Sequence, residues 1–184
     1  MKQNRIPYVL CLLLVCASPL AGQSLEPELE KVGKGVERYF QQKRPGWVHD
    51  SVPPAMPPGS RPSPTVAIHL WSSEKCLTAE VIIDGVNSGK QPVPCRVKLA
   101  IYQAPSASEA HTGLSNFVLG ERSATPITVG DKGYVWHGSK LVFIKGKFTF
   151  WLSGGLDVRV GDFSYNGEFM EKLAKEIADA VPAT

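Results

Sequence analysis

The residues best suited to chemistry lie in one short stretch, Asp131–Gly138. This stretch places Tyr134, Trp136 and His137 beside a predicted turn, and Trp151 falls in the second strand of the hairpin that follows. Tyrosine and tryptophan combine an apolar face with a hydrogen-bonding tip, which suits contact with a small ligand. The same pattern is typical of a strand whose aromatic side chains complete a core, which is the commoner case. If the domain binds a ligand, we expect Tyr134, Trp136, His137 and Trp151 to contact it.

No catalytic residue is predicted from the sequence. A nucleophilic serine of the hydrolase type needs a sharp strand-to-helix turn with glycines around it. Ser115 has only Gly113 nearby, and Ser139 follows Gly138 in a predicted turn. The glycine-rich motifs that cradle phosphates do not occur either. We therefore expect no catalytic serine and no nucleotide cofactor.

Metal binding is not predicted. The four histidines lack the i, i+4 or short-loop spacing that a metal site usually shows: His49, His69, His111 and His137. Candidate acids lie at predicted turns or helix caps, where acids are structurally favoured: Asp131, Asp157, Asp162 and Glu168. We expect no metal and no other cofactor.

The N-terminal residues 1–23 have the pattern of a secretory signal peptide. Lys2 and Arg5 precede an apolar run, Tyr8–Ala17, and the small residues Ala21 and Gly22 follow it. The run is about ten residues long, whereas a helix that crosses a bilayer needs roughly 20. We therefore expect cleavage, export to the periplasm or the exterior, and a mature chain without a membrane span.

Charge and size describe the mature chain. The sequence has 20 Lys plus Arg against 17 Asp plus Glu, and loss of Lys2 and Arg5 leaves 18 against 17. A net charge of +1 gives no electrostatic case for binding nucleic acid. The length of residues 24–184 suits a single globular domain.

Two cysteines, Cys76 and Cys95, remain after the leader is removed, and an even pair in an exported domain predicts a disulfide. Cys76 precedes one predicted strand and Cys95 begins the next, so a simple hairpin would separate them by roughly 20 Å. A disulfide needs its α-carbons within about 7 Å. Either the strands pair with an offset, or the loop between them folds back.

Helices are predicted at both ends of the mature chain. The first runs from Ser24 to Arg44 with an apolar stripe on one face, and Pro45 ends it. Residues 45–64 contain seven prolines and are expected to form an extended connector without regular structure. The last helix runs from Asn166 to Val181, with apolar residues spaced by four.

Strands fill most of the chain between these helices. The β-rich segments are Thr65–Trp71, Leu77–Asp84, Cys95–Tyr102, Tyr134–Trp136, Leu141–Lys145 and Phe148–Ser153, with Leu156–Val160 as a further edge strand. We expect the second and third to pair across the polar loop 85–94, and Gly146-Lys147 to form a tight turn. Ser106 and Glu109 predict a capped helix that ends near Phe117. Residues 117–128 are ambiguous.

This order predicts an α+β domain whose antiparallel β-sheet is packed by N-terminal and C-terminal amphipathic helices. Alternation in Phe148–Ser153 places Trp151 on the side of the sheet opposite the main core. The segment Gly130–Val181, with Gly130-Asp131, the hairpin Leu141–Phe150 and the last helix, resembles small bacterial exported domains of unassigned function. At fold level it resembles the PsbP-like α/β/α sandwich. The resemblance implies architecture only.

These observations favour an exported, non-enzymatic domain that binds a small ligand or an envelope protein. This hypothesis predicts an apolar pocket near Tyr134, Trp136 and Trp151, or an exposed apolar patch. One alternative is an envelope hydrolase with dispersed catalytic residues, based on His137 and the acids near it. Another is a secreted structural protein that assembles through an edge strand.

Overall fold

The computed structural model describes residues 25–50, 65–83, 86–119, 123–136, 140–156 and 164–181. It contains a seven-stranded antiparallel sheet and three helices, which confirms the predicted α+β class. In chain order the elements are α1 (Pro27–Lys43), β1 (Val48–Asp50), β2 (Val66–Ile83), β3 (Val86–Gln103), α2 (Ala107–Leu119), β4 (Thr125–Ile127), β5 (Lys132–Trp136), β6 (Lys140–Lys145), β7 (Phe148–Leu156) and α3 (Ser164–Ala180). The strands lie in the order β1-β2-β3-β7-β6-β5-β4.

The β2–β3 hairpin is longer than the sequence predicts. The predicted strands Thr65–Trp71 and Leu77–Asp84 belong largely to one strand, β2, and the predicted loop 85–94 belongs largely to β3. Cys95–Tyr102 therefore pairs with Val66–Ser73, and the predicted pairing with Leu77–Asp84 was wrong. Lys90 and Gln91, two of the polar residues that suggested a loop, are exposed on the strand. Polar residues next to each other do not show the alternation by which a strand is recognised.

A bulge in β2 brings the two cysteines of the disulfide together. Ser73 is opposite Cys95, whereas Leu77 is opposite Val93, so three residues of β2 face a single residue of β3. This offset brings Cys76 alongside Cys95, with 5.7 Å between their α-carbons and a bond between their sulfurs. The prediction of the disulfide is confirmed, and of the two routes to it the second is the correct one, because the predicted loop folds back along β2 as the first part of β3.

Beyond the disulfide the hairpin pairs with no further strand among the described residues. β7 pairs with β3 from Cys95 to Gln103, and β1 pairs with β2 only at residues 70–72. Residues 77–83 and 86–93 thus form a two-stranded ribbon that continues beyond the neighbouring strands.

The main core lies on the face of the sheet that α1 and α3 cover. Phe148, Phe150 and Leu152 of β7 are fully buried there. Each large apolar side chain buried in this way contributes about 1.5–3 kcal/mol relative to exposure. The helices supply matching apolar stripes, as predicted, from Leu29, Val32, Val36, Leu173, Ile177 and Val181, and Met170 adds to them.

Helix α2 covers part of the opposite face. Ala110 and Leu114 of α2 pack against Trp136, Val142 and Ile144, and Trp151 is half-buried beside them. The predicted position of Trp151 opposite the main core is therefore confirmed. With helices on both faces, the molecule has the three layers expected of an α/β/α sandwich.

The turn at Gly130-Asp131 holds two strands of the meander together. Gly130 has a φ of +62°, and an added Cβ would lie 2.2 Å from the carbonyl oxygen of Ile144. The Asp131 amide donates to that oxygen at 2.7 Å, and its carboxylate accepts from the amide of Gly146 at 2.7 Å. Asp131 thus has the structural role predicted for it, and the tight turn after Lys145 is confirmed.

Two short strands lie in segments for which no strand was predicted. The connector 45–64 was expected to lack regular structure, yet Val48–Asp50 forms the edge strand β1, and the ambiguous segment contains β4. The predicted edge strand Leu156–Val160 lies outside the described residues except for Leu156, which ends β7. The signal peptide, residues 1–23, also lies outside them. None of the described helices combines the length and apolar character needed to cross a bilayer.

Candidate functional site

Three aromatic rings meet between α2 and the sheet. The Trp136 and Trp151 rings are 5.3 Å apart and nearly perpendicular. Phe117 of α2 lies 5.6 Å from the ring of Trp136 and 4.9 Å from that of Trp151. Tyr134 packs against the same apolar cluster. The structure thus brings together three of the four predicted ligand residues, and the fourth, His137, lies outside the described residues.

A cavity of about 300 Å³ opens beside this cluster. It lies between α2 and strands β3, β6 and β7, and its principal lining residues are Tyr102, Gln103, Leu114, Phe117, Val142 and Trp151. We call it the α2 groove. Trp136 is buried beneath the surface and does not line it, and neither does Tyr134. Of the predicted residues, Trp151 is therefore the one placed to touch a ligand in this groove.

Gly113 of α2 lines the α2 groove, and an added Cβ there would meet no atom within 4 Å, so the missing side chain helps to keep the groove open. Gln103 is directly opposite Phe148, a residue of the main core, so its side chain lies on the other face of the sheet. Its side-chain oxygen is buried and accepts no hydrogen bond from the described residues.

A second hollow of about 230 Å³ adjoins the groove along the uncovered part of the sheet. Tyr102 and Trp151 line both cavities, and Lys98 and Ser153 supply the polar lining of the second. A ligand longer than the α2 groove would extend over Trp151 towards these two polar side chains.

A different cluster lies on the other face of the sheet, under α1. The Nδ1 atom of His69 lies 3.3 Å from Nε2 of His49 and 3.7 Å from Oε1 of Glu37. One ligand atom from each of the three residues lies within 4.8 Å of the other two. Burial lowers the pKa of His69, the adjacent His49 lowers it further, and Glu37 offsets only part of this. The His69 imidazole is therefore held in the neutral form that can accept a proton or bind a metal ion.

Sequence reasoning missed this cluster because its members share no local spacing. His49 and His69 are 20 positions apart and meet through the pairing of β1 with β2, while Glu37 comes from a helix. Only the pairing of β1 with β2 could have revealed the cluster. The sequence did not show this pairing, because β1 lies in a segment rich in proline. His111 lies on α2, on the opposite face of the sheet.

The serine candidates gain no support as nucleophiles. Ser115 lies in the middle of α2 and not on a strand-to-helix turn, and it accepts a long hydrogen bond of 3.4 Å from Lys132. Ser139 lies outside the described residues, as does the His137 on which the hydrolase alternative depends. That alternative stays a prediction.

No family model, curated protein or solved structure matches this chain. The resemblance to PsbP-like domains therefore stays a prediction.

Proposed function

We propose that this protein is an exported, non-enzymatic binding domain that holds a small, largely apolar molecule in the α2 groove. The observation that carries the proposal is an open groove of about 300 Å³ whose lining is mostly apolar and includes the rings of Phe117 and Trp151. Apolar and aromatic linings of this kind are typical of small-molecule sites. The ligand we infer has a flat apolar body.

The dimensions of the groove limit the ligand. Its volume of about 300 Å³ is at the small end of the range for ligand pockets, which suits a molecule of one to three fused or linked rings. Trp151 and Phe117 offer ring faces for offset or edge-to-face contacts with such a molecule. Glu109, at the exposed rim, is the acidic side chain of the lining, so an anionic group would be disfavoured there.

Export is the second part of the proposal. A disulfide-bonded pair, Cys76 and Cys95, is compatible with an oxidising compartment, and disulfides are rare in the cytosol. The signal-peptide pattern of residues 1–23 supports the same conclusion. A periplasmic or extracellular domain with a small apolar groove would sequester or carry a compound that is poorly soluble in water.

Binding of 2-naphthol and of naphthalene, followed by the fluorescence of the tryptophans, tests the site. Both compounds have a flat apolar body, so we expect both to bind and to change the emission of Trp151. In Trp151→Leu binding of both should weaken because a ring contact is lost. Failure of both compounds to bind to the wild type would contradict the proposal.

A substitution that fills the groove tests its position. Gly113→Leu places a side chain in the open space, so it should abolish binding of both compounds while α2 stays folded. Gly35→Leu is the matched control, since Gly35 also has open space around it but lies on α1, on the other face of the sheet. Unchanged binding in Gly113→Leu would place the ligand elsewhere.

A further inference from the structure

We propose that Glu37, His49 and His69 form a binding site for a divalent transition-metal ion, with Zn²⁺ as the best fit. The site lies on the face of the sheet opposite the α2 groove, so it is independent of the function proposed above. Two imidazoles and one carboxylate are a ligand set that zinc uses with a fourth position left to water or substrate.

The strand pairing places the two histidines on one face. His49 of β1 is directly opposite Trp71 of β2, and His69 precedes Trp71 by two positions on the same strand. Side chains two positions apart on a strand, and side chains directly opposite across a pair, point to the same face of a sheet. The rings follow this rule: His49 stacks on Trp71 at 4.3 Å and lies 5.3 Å from the ring of His69.

Helix α1 completes the site from above this face. Gly33 lies one helical turn before Glu37, and the ring of His69 packs where Gly33 has no side chain. An added Cβ at Gly33 would lie 3.3 Å from Nε2 and 3.4 Å from Cε1 of His69. Nε2 and Cε1 thus face the helix, whereas Nδ1, on the other side of Cε1, faces His49 and Glu37.

The distances fit a metal ion. A tetrahedral zinc ion with bonds of about 2.0–2.1 Å to imidazole nitrogens holds two such nitrogens about 3.3–3.4 Å apart. The Nδ1 of His69 and the Nε2 of His49 are 3.3 Å apart. The Glu37 oxygen lies 3.7 Å from Nδ1 of His69 and within 4.8 Å of the His49 ligand atom, so the carboxylate would need to move closer to both nitrogens, and its side chain is long enough to do so.

The burial of the ligands also suits a built site. His69 is 8% exposed, so its position is fixed by packing, and His49 lies on the edge strand, from which an ion can enter. The Phe40 ring stacks on Trp71, which extends the row of rings behind His49 and holds it in place. The Glu37 carboxylate would partly balance the charge of the bound cation.

Titration calorimetry with Zn²⁺, and the visible absorption of bound Co²⁺, test the proposal on the disulfide-bonded chain purified without a histidine tag. We expect one ion per chain, and we expect the visible spectrum of the bound Co²⁺ to be that of a four-coordinate ion. His49→Gln and Glu37→Gln should each weaken Zn²⁺ binding by more than the roughly 10–100-fold that follows loss of an outer partner. His111→Gln, the matched control on α2, should bind as the wild type does.

Two further variants guard against a simple loss of folding. His69→Asn changes a buried residue. Weaker Zn²⁺ binding by this variant is therefore attributed to the lost ligand only if its circular dichroism matches that of the wild type. Gly33→Ala keeps all three ligands but pushes on the His69 ring, and it should weaken Zn²⁺ binding, whereas Gly35→Ala on the same helix should not. The proposal would be overturned if the wild type bound no stoichiometric Zn²⁺. It would also be overturned if His49→Gln and Glu37→Gln bound Zn²⁺ as tightly as the wild type does. In that case the histidines would be a packing and hydrogen-bonding pair only.

Discussion

The hydroxyl of Tyr39 donates a hydrogen bond to the carboxylate of Glu176, which joins α1 to α3 across the main core. Arg44 completes the cluster, with its guanidinium 2.5 Å from the same carboxylate oxygen and 3.1 Å from the Tyr39 hydroxyl. Burial raises the pKa of Tyr39 to about 12, and the hydrogen bond to Glu176 adds to the effect. Partial burial alone would raise the pKa of Glu176, but the hydrogen bonds from Tyr39 and Arg44 and the Arg44 charge outweigh it, and the pKa is lowered.

The raised pKa of Tyr39 predicts a loss of stability in alkali. An unfolded tyrosine titrates at about 10, so between pH 10 and about 12 the unfolded chain has released its proton while the folded chain retains it. The free energy of unfolding should therefore fall over this window. Urea titrations from pH 8 to 12 measure it. Tyr39→Phe should lose about 1 kcal/mol at neutral pH and show a shallower alkaline decline, whereas Tyr102→Phe, at an exposed tyrosine, should keep the wild-type slope.

The lowered pKa of Glu176 predicts a loss of stability in acid. Stability from the ionised carboxylate is present above its unfolded pKa and is lost as the pH falls through the lower folded value. Glu176→Gln should reduce stability at pH 7 and flatten the decline below about pH 5. Glu168→Gln, at an exposed position of the same helix, serves as the control and should follow the wild-type curve.

Removal of the disulfide should destabilise the protein by about 3 kcal/mol, through the greater freedom of the unfolded chain. The change is the double substitution Cys76→Ala, Cys95→Ala, and urea unfolding is the measurement. Intact mass with and without reductant shows beforehand whether the bond is present. A double variant as stable as the oxidised wild type would show that the strand pairing alone holds the bulge.

Two glycines should respond in opposite directions to alanine. Gly130→Ala forces a side chain into a left-handed conformation and against the Ile144 carbonyl, so it should cost more than the about 1–2 kcal/mol of conformational strain alone. Gly113→Ala lies in a helix with open space around it and should stabilise by about 0.5–1 kcal/mol. Thermal unfolding of both variants measures the difference. A stabilising Gly130→Ala would show that this turn rearranges.

The regular parts of the fold were predictable because their apolar residues repeat with a fixed period. The stripe of α1 and the alternation around Trp151 both specify a buried face, and the structure has those faces. The outer part of the hairpin could not be predicted in the same way. Its exposed polar residues resemble a loop in composition, and its pairing depends on a bulge at Cys76 that no periodic pattern encodes.

The candidate sites were predicted less well than the fold. Trp151 was identified because an aromatic residue on the outer face of a strand departs from the core pattern. Phe117 was not, because its contacts with Trp136 and Trp151 depend on how α2 packs against the sheet. His49 and His69 were considered and set aside, since their contact depends on an edge strand formed within a Pro-rich segment.

The ribbon of residues 77–83 and 86–93 has a consequence for how the molecule tolerates change. The Cys76–Cys95 bond lies at the point where the hairpin leaves the sheet, so the bond clamps the strands at the base of this arm. An isolated two-stranded arm is only marginally stable in water. Val93 next to the bond is buried, whereas Lys90 and Gln91 further out are exposed. Insertion, deletion or grafting of a foreign peptide in this outer part would therefore leave the core, the α2 groove and the His49–His69 pair untouched.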